Sequence, residues 1–74
     1  MSWYRKAKRD LSELLSMSGD DLLRLTWEQA SEFVLPDTVE MARWRALRAS
    51  GRPAYECLFS LKRLQLPSSL RRVA

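Results

Sequence analysis

Apolar residues recur along this chain at intervals of three and four, the spacing that places them on one face of an α-helix. No segment alternates apolar and polar residues over the length of a strand. The β-branched residues that favour strands are only three valines and two threonines, with no isoleucine. The pattern therefore predicts an all-α fold, a small bundle of four to five short helices.

Capping residues and helix breakers predict where the first helices begin and end. A first amphipathic helix is predicted to begin after Ser2 and to end at Gly19. A short second segment should follow, because Ser18 and Asp21 have the spacing of a capping box. The apolar stripe of the first helix comprises Trp3, Tyr4, Ala7, Leu11, Leu14 and Leu15.

A second capping-box spacing joins Thr26 to Gln29. It predicts a helix that runs through Val34 and is stopped by Pro36. The side chains expected to face inward are Trp27, Ala30 and Val34, with Phe33 beside them.

The same logic continues into the second half of the chain. Asp37 or Thr38 is expected to cap a helix that runs to about Ser50, where Gly51 supplies a left-handed stop. Pro53 suits the first turn of a last helix, predicted over residues 53–64. Its core side should comprise Cys57, Leu58, Leu61 and Leu64.

Length and charge narrow the picture further. The 74 residues suffice for one domain, predicted as a helical unit over 1–66 followed by a basic C-terminal tail, 67–74, which forms a last turn or a flexible arm. The net charge is +4, but five bases and seven acids give residues 1–37 a charge of −2, whereas eight bases and two acids give residues 38–74 a charge of +6. A half with this much positive charge is expected to attract polyanions such as nucleic acid. The alternative is a solvated surface without such a partner.

Several functional classes find little support. One cysteine and no histidine argue against a disulfide framework and a conventional transition-metal site. Two glycines cannot build a phosphate loop, and no Ser or Cys has an evident activating base, so neither an enzyme nor a cofactor is predicted. Cys57 is expected to be a small buried hydrophobe. No apolar run approaches the ~20 residues of a membrane span, which predicts a cytoplasmic protein without a membrane partner.

The segment from Thr26 to Leu64 resembles the helix-turn-helix of phage repressor and Cro-like regulators. That family has a capped helix with a small residue near the helix crossing, a second helix ending in a hydrophobic-x-x-Trp pattern, a basic glycine-containing turn, and a closing amphipathic helix. The matching residues, in chain order, are Thr26, Gln29 and the Ala30-Ser31 pair, then Met41 to Trp44, Arg48 to Pro53, and Tyr55 to Leu64.

The resemblance implies a DNA-binding regulator of phage or plasmid type that places helix 37–50 in the major groove of double-stranded DNA. Arg43 would donate to a guanine edge, and the other basic side chains would contact phosphates. Asp37 and Glu40 either repel phosphate or simply cap the helix. The nucleic-acid-binding residues on this interpretation are Thr38, Arg43, Arg45, Arg48, Arg52, Lys62 and Arg63.

An alternative is a small phage or mobile-element protein that binds a host protein and modulates its activity. Tyr55 and Phe59 look exposed, because they lie off the core side of the last helix, and with Trp44 they are candidate contacts for a partner or for a homodimer. Trp44 is better explained as an anchor in the core or in an interface than as a platform for base stacking. An RNA-binding or membrane-surface peptide ranks third, because acids on the first helix oppose anionic lipid.

Helix 37–50 also has a side made of small residues. Arg45 and Arg48 lie across from this side on the helical wheel. The small side is expected to permit close packing against another helix. It comprises Val39, Ala42, Ala46 and Ala49.

Overall fold

A computed structural model describes residues 7–36 and 38–70 of the chain. This part contains five α-helices and one short 3₁₀ turn, and it contains no strand, so the predicted all-α bundle of short helices is confirmed. The elements are α1 (Leu11–Leu15), α2 (Gly19–Leu23), α3 (Trp27–Ser31), α4 (Val39–Arg48), α5 (Ala54–Leu61) and the 3₁₀ turn Ser68–Leu70.

One hydrophobic core joins the five helices, and each helix contributes at least one fully buried side chain. Cys57 is 1% exposed, which confirms its expected role as a small buried hydrophobe. Trp44 is the largest of the fully buried side chains. The buried residues are Leu14, Leu22, Leu25, Ala30, Phe33, Val34, Trp44, Cys57, Leu58 and Phe59.

A pair of stacked tryptophans fastens α3 to α4. The rings of Trp27 and Trp44 lie 4.0 Å apart between centroids, with 12° between their planes. The Trp44 Nε1–H donates to the Ser31 hydroxyl at 2.9 Å, and that hydroxyl donates to the Trp27 carbonyl at 2.7 Å. The indole is therefore buried with its polar group satisfied, as the interior of a protein requires.

The prediction of one long first helix is wrong for the described residues before α1. Asp10 has extended backbone angles and its carboxylate accepts from the Ser12 N–H, so it is the N-cap of a helix that begins at Leu11. Just before it, the Arg9 N–H donates to the Glu32 carbonyl at 3.0 Å. This long-range hydrogen bond takes a backbone donor that a longer helix would have used internally.

The predicted apolar stripe of the first helix is also only partly correct. Leu14 is buried, but Leu11 is 37% exposed and Leu15 is 61% exposed. Because α1 is little more than one turn long, only the side around Leu14 reaches the core. Trp3 and Tyr4 lie outside the described residues.

Both capping boxes predicted from sequence mark helix starts, although one glycine was misassigned. The Ser18 hydroxyl accepts from the Asp21 N–H at 3.2 Å, and Gly19 is the first residue of α2, so the prediction that it ends the first helix is wrong. The Thr26 hydroxyl accepts from the Gln29 N–H at 3.1 Å, and the Gln29 side chain accepts from the Thr26 N–H at 3.0 Å. This reciprocal pair completes the capping box.

The later boundaries agree with prediction to within about one turn. Helix α3 ends at Ser31, and the chain then continues through irregular turns. Helix α4 ends at Arg48. Gly51 has a φ of 75°, which confirms the predicted left-handed stop. Pro53 is the N-cap of α5.

The predicted C-terminal tail forms a last turn in its described part. Ser68–Leu70 is a 3₁₀ turn, and the partly buried Leu70 packs against the core. Residues 71–74 lie outside the described part of the chain.

Helix α5 ends in a Schellman motif that carries an arginine where glycine is usual. The Leu64 N–H donates to the Phe59 carbonyl at 2.8 Å, and the Arg63 N–H donates to the Ser60 carbonyl at 3.2 Å. Arg63 has a φ of 56°, the only positive value among the described non-glycine residues. A side chain at this position opposes the left-handed backbone.

Arg63→Gly is therefore expected to stabilise the fold. The left-handed conformation costs an ordinary residue about 1–2 kcal/mol, and the added freedom of glycine in the unfolded chain returns about 0.4–1 kcal/mol of that. The expected net gain in the free energy of unfolding is about 0.5–1 kcal/mol, measured by urea denaturation. Arg63→Ala is the control, because it removes the charge and keeps the Cβ; an equal gain from both variants would contradict the conformational explanation.

Candidate nucleic-acid interface

Helix α4 packs against the core on one side only. Trp44, at the centre of that side, is 1% exposed, and Met41 and Leu47 beside it are partly buried against the core. The opposite side faces outward, and Val39 on it is 70% exposed.

The longest described helix, α4, has ten residues and is too short to cross a bilayer.

The outward side of α4 is the small-residue side identified in the sequence. All four of its residues are exposed, so no described part of the chain packs over it. The expected close packing against another helix is therefore absent from the described residues. This surface, the α4 outer face, comprises Val39, Ala42, Ala46 and Ala49.

Arginines border the α4 outer face along both edges. At 100° per residue, Arg43 falls on one edge and Arg45 on the other, so the expectation that Arg45 lies across from the small-residue side is wrong. Both are exposed, and neither forms an ion pair with a described residue. Arg52 and Arg63 are likewise exposed and without such an ion pair. These four guanidinium groups remain available to an external anion.

Arg48 is exposed but has an aromatic partner. Its guanidinium carbon lies 5.5 Å from the centroid of the Trp27 ring, within the range of a cation–π contact. Arg48 thus contributes to the α3–α4 junction as well as to the surface charge.

Lys62 is engaged in an ion pair across the bundle. Its Nζ donates to both carboxylate oxygens of Glu40, at 2.9 and 3.0 Å, and the Leu35 N–H donates to the same carboxylate at 2.8 Å. The Lys62 and Glu40 side chains are 16% and 24% exposed. Glu40 therefore lies on the core side of α4 with its charge compensated, away from the outer face.

Removing one partner of this ion pair is expected to lower the free energy of unfolding more than replacing both partners. Lys62→Met should lower the free energy of unfolding by about 1–2 kcal/mol, because it leaves the half-buried Glu40 carboxylate without its cation. Adding Glu40→Gln to that variant should recover part of the loss. A double-mutant cycle by urea denaturation measures the coupling, and strictly additive effects would contradict the interaction.

The remaining candidate residues divide between surface and core. Thr38 is exposed and its hydroxyl donates to the Leu35 carbonyl, so the Thr38 side chain does not form the predicted cap of α4. Trp44 and Phe59 are buried, at 1% and 3% exposure, and Tyr55 is half-buried against the core. Asp37 lies outside the described residues.

The expectation that Phe59 is exposed is therefore wrong. Helix α5 contacts both α3 and α4. A helix packed on two sides buries a wider stripe than one packed on a single side, and Phe59 falls within it, next to Leu58. Sequence reasoning assumed the narrower stripe.

The connection between α3 and α4 departs from the helix-turn-helix pattern. Residues 32–38 separate Ser31 from Val39, whereas the usual turn has about three to four residues. The resemblance to phage regulators stays a prediction.

Two features of α4 could not be predicted from the sequence. The spacing of Ala42, Ala46 and Ala49 identified the small-residue side, but nothing in the sequence indicated that it lies open. The Glu40–Lys62 pair spans 22 positions, a separation at which no local spacing rule predicts contact.

The described residues contain no group of three or more side chains of the types that hold a metal ion. No family model, curated protein or solved structure matches the chain.

Proposed function

We propose that the protein is a double-stranded DNA-binding regulator of phage or plasmid type, with the α4 outer face in the major groove. One observation carries this proposal: an exposed helix face of small residues lies between Arg43 and Arg45, which have no ion pair with a described residue. The engagement of Glu40 with Lys62 adds support, because it removes an uncompensated charge from the approach to phosphate.

The dimensions of α4 suit the major groove. Ten residues span about 15 Å at 1.5 Å per residue, and a groove about 12 Å wide admits one helix. Alanines allow the helix backbone to approach the base edges closely, and their methyl groups can contact thymine methyls. In this proposal two N–H groups of the Arg43 guanidinium donate to guanine O6 and N7.

The arginines outside the reading positions have a different role in this proposal. Arg45 and Arg52 contact phosphates, which fixes the orientation of the helix without reading sequence. Arg48 adds positive charge to α4 while its guanidinium group lies over the Trp27 ring.

Three substitutions test the division between reading and positioning. Arg43→Ala should weaken binding to a preferred sequence by about 1–3 kcal/mol and reduce the preference for it. Arg45→Ala and Arg52→Ala should weaken binding to all duplexes alike and lower the salt slope by about 0.9 each. The measurement is fluorescence anisotropy with labelled duplexes over a salt series.

Arg24→Ala is the matched control, because Arg24 is exposed at the end of α2 and its loss changes the net charge equally. If Arg24→Ala reduces affinity as much as Arg43→Ala, binding depends on overall charge and the groove-reading proposal fails.

A second candidate function is binding to a host protein, which exposed leucines support. Leu15 is 61% exposed and Leu23 is 56% exposed. A bound partner, including a second copy of the chain, would bury these side chains. On this proposal, Leu15→Glu reduces partner binding in an affinity pull-down while leaving DNA binding intact.

A further inference from the structure

A groove runs between α4 and α5 beside the α4 outer face. It is open to solvent and has a volume of about 410 Å³, within the range of small-molecule sites. Leu47 from α4 and Leu61 from α5 supply apolar surface, and both are partly buried against the core. The groove is therefore an open depression with an apolar floor, built on two packed helices.

The polar lining of this groove is cationic. Arg43 lines it from α4, and Arg63 lines it from the residue after the C-cap of α5. No carboxylate is among the lining residues, and neither arginine forms an ion pair with a described residue. The Ser60 hydroxyl adds a further hydrogen-bonding group. Two guanidinium groups beside apolar surface are complementary to an anion that carries an apolar body.

Arg63 reaches the groove from the C′ position of the Schellman motif that ends α5. It occupies a left-handed backbone position, with a φ of 56°, where glycine is less costly. Its side chain is part of the lining of the groove.

We propose that the α4–α5 groove binds an aliphatic carboxylate of medium chain length. The carboxylate accepts from the guanidinium groups of Arg43 and Arg63, and the alkyl chain lies on Leu47 and Leu61. No aromatic side chain lines the groove, so a nucleobase has no stacking platform there. An alkyl chain is the apolar body that this lining suits best.

This site has a consequence for regulation, which rests on the proposed function. Arg43 lines the groove and also borders the α4 outer face. A bound carboxylate that occupies Arg43 therefore competes with DNA for the same guanidinium group. The ligand acts as an inhibitor of DNA binding.

The test is a titration followed by ¹⁵N–¹H NMR, with octanoate, 1-octanol and octyltrimethylammonium as probes. Octanoate should produce saturable shifts at the amides of Leu47, Ser60 and Leu61. Octanol should bind about tenfold more weakly, because it lacks the charge-assisted hydrogen bonds. The cationic probe should not bind in the groove.

Substitutions locate the carboxylate contact. Arg43→Gln and Arg63→Gln should each weaken octanoate binding by about tenfold. Arg24→Gln, at the exposed C-cap of α2, should leave it unchanged. Because the substituted side chains are exposed, unchanged amide spectra of the free variants verify the fold. Equal binding of octanoate and octanol, or shifts centred on Leu15 rather than the groove, would overturn the proposal.

DNA binding measured on the same samples separates this inference from the proposed function. If octanoate binds as described and the wild-type chain binds no duplex, the ligand site stands and only the competition fails. If the chain binds DNA and octanoate does not occupy the groove, the ligand site fails alone. If both bind, octanoate should release labelled duplex from the wild type, and release by octanol at equal concentration would contradict the competition.

Discussion

Trp44→Ala is expected to lower the free energy of unfolding by about 3–5 kcal/mol, the usual cost of truncating a buried aromatic residue. Trp44 is 1% exposed and its ring stacks on Trp27 at 4.0 Å, so truncation removes both burial and stacking. A domain of this length has a total stability of about 4–11 kcal/mol. The substitution should therefore remove at least about a quarter of that stability and lower the urea midpoint accordingly.

Urea denaturation followed by far-ultraviolet circular dichroism measures this effect. Trp44→Phe is the matched variant, because it keeps an aromatic ring and loses the Nε1–H that donates to Ser31. It should cost about 1–2 kcal/mol and retain the helical signal. A loss below about 1 kcal/mol for Trp44→Ala would show that the tryptophan stack does not hold α3 against α4.

Ala46→Glu is expected to reduce duplex-DNA affinity by about a hundredfold or more while leaving the fold intact. Ala46 is exposed at the middle of the α4 outer face. A carboxylate there meets the phosphates and base edges at close range, and like-charge contacts of this kind cost several kcal/mol, of which about 2.8 kcal/mol corresponds to the hundredfold loss. Stability should change by no more than about 0.5 kcal/mol, as at other exposed sites.

Two control variants isolate the cause of that loss. Ala46→Gln adds nearly the same volume without the charge and should weaken binding less. Leu15→Glu introduces the same negative charge on α1, where Leu15 is 61% exposed, and should leave DNA affinity nearly unchanged. Equal losses in Ala46→Glu and Leu15→Glu would indicate binding through net charge alone, which contradicts a specific role for α4.

Local sequence signals predicted most of the fold because they act over a few residues. The reciprocal capping box of Thr26 and Gln29 and the left-handed Gly51 formed where the sequence indicated. Such features depend on side chains within one turn of the backbone that they cap. For that reason five helices could be anticipated without knowing how they pack.

Long-range contacts account for what could not be predicted. The Arg9 N–H donates to Glu32, residues 23 positions apart, which accompanies the late start of α1 at Leu11. The burial of Phe59 depends on α5 packing against two helices at once. Neither fact follows from periodicity within a single segment.

At the candidate site too, local features could be predicted from the sequence and long-range contacts could not. Sequence alone identified the small-residue side of α4 and the arginines near it. It did not indicate that Lys62 is held by Glu40, or that the small-residue side faces outward. The first depends on the approach of α4 and α5, and the second depends on Trp44 drawing the opposite side of α4 into the core.

Duplex-DNA binding by the wild-type chain tests the central claim most directly. We would measure fluorescence anisotropy at about 50 and 200 mM salt, with random duplexes and fragments of the locus that encodes the protein, and determine the oligomeric mass in parallel. The account predicts binding that prefers particular locus fragments and keeps that preference at the higher salt. Absent binding, or weak binding that salt removes equally from every fragment, would contradict it.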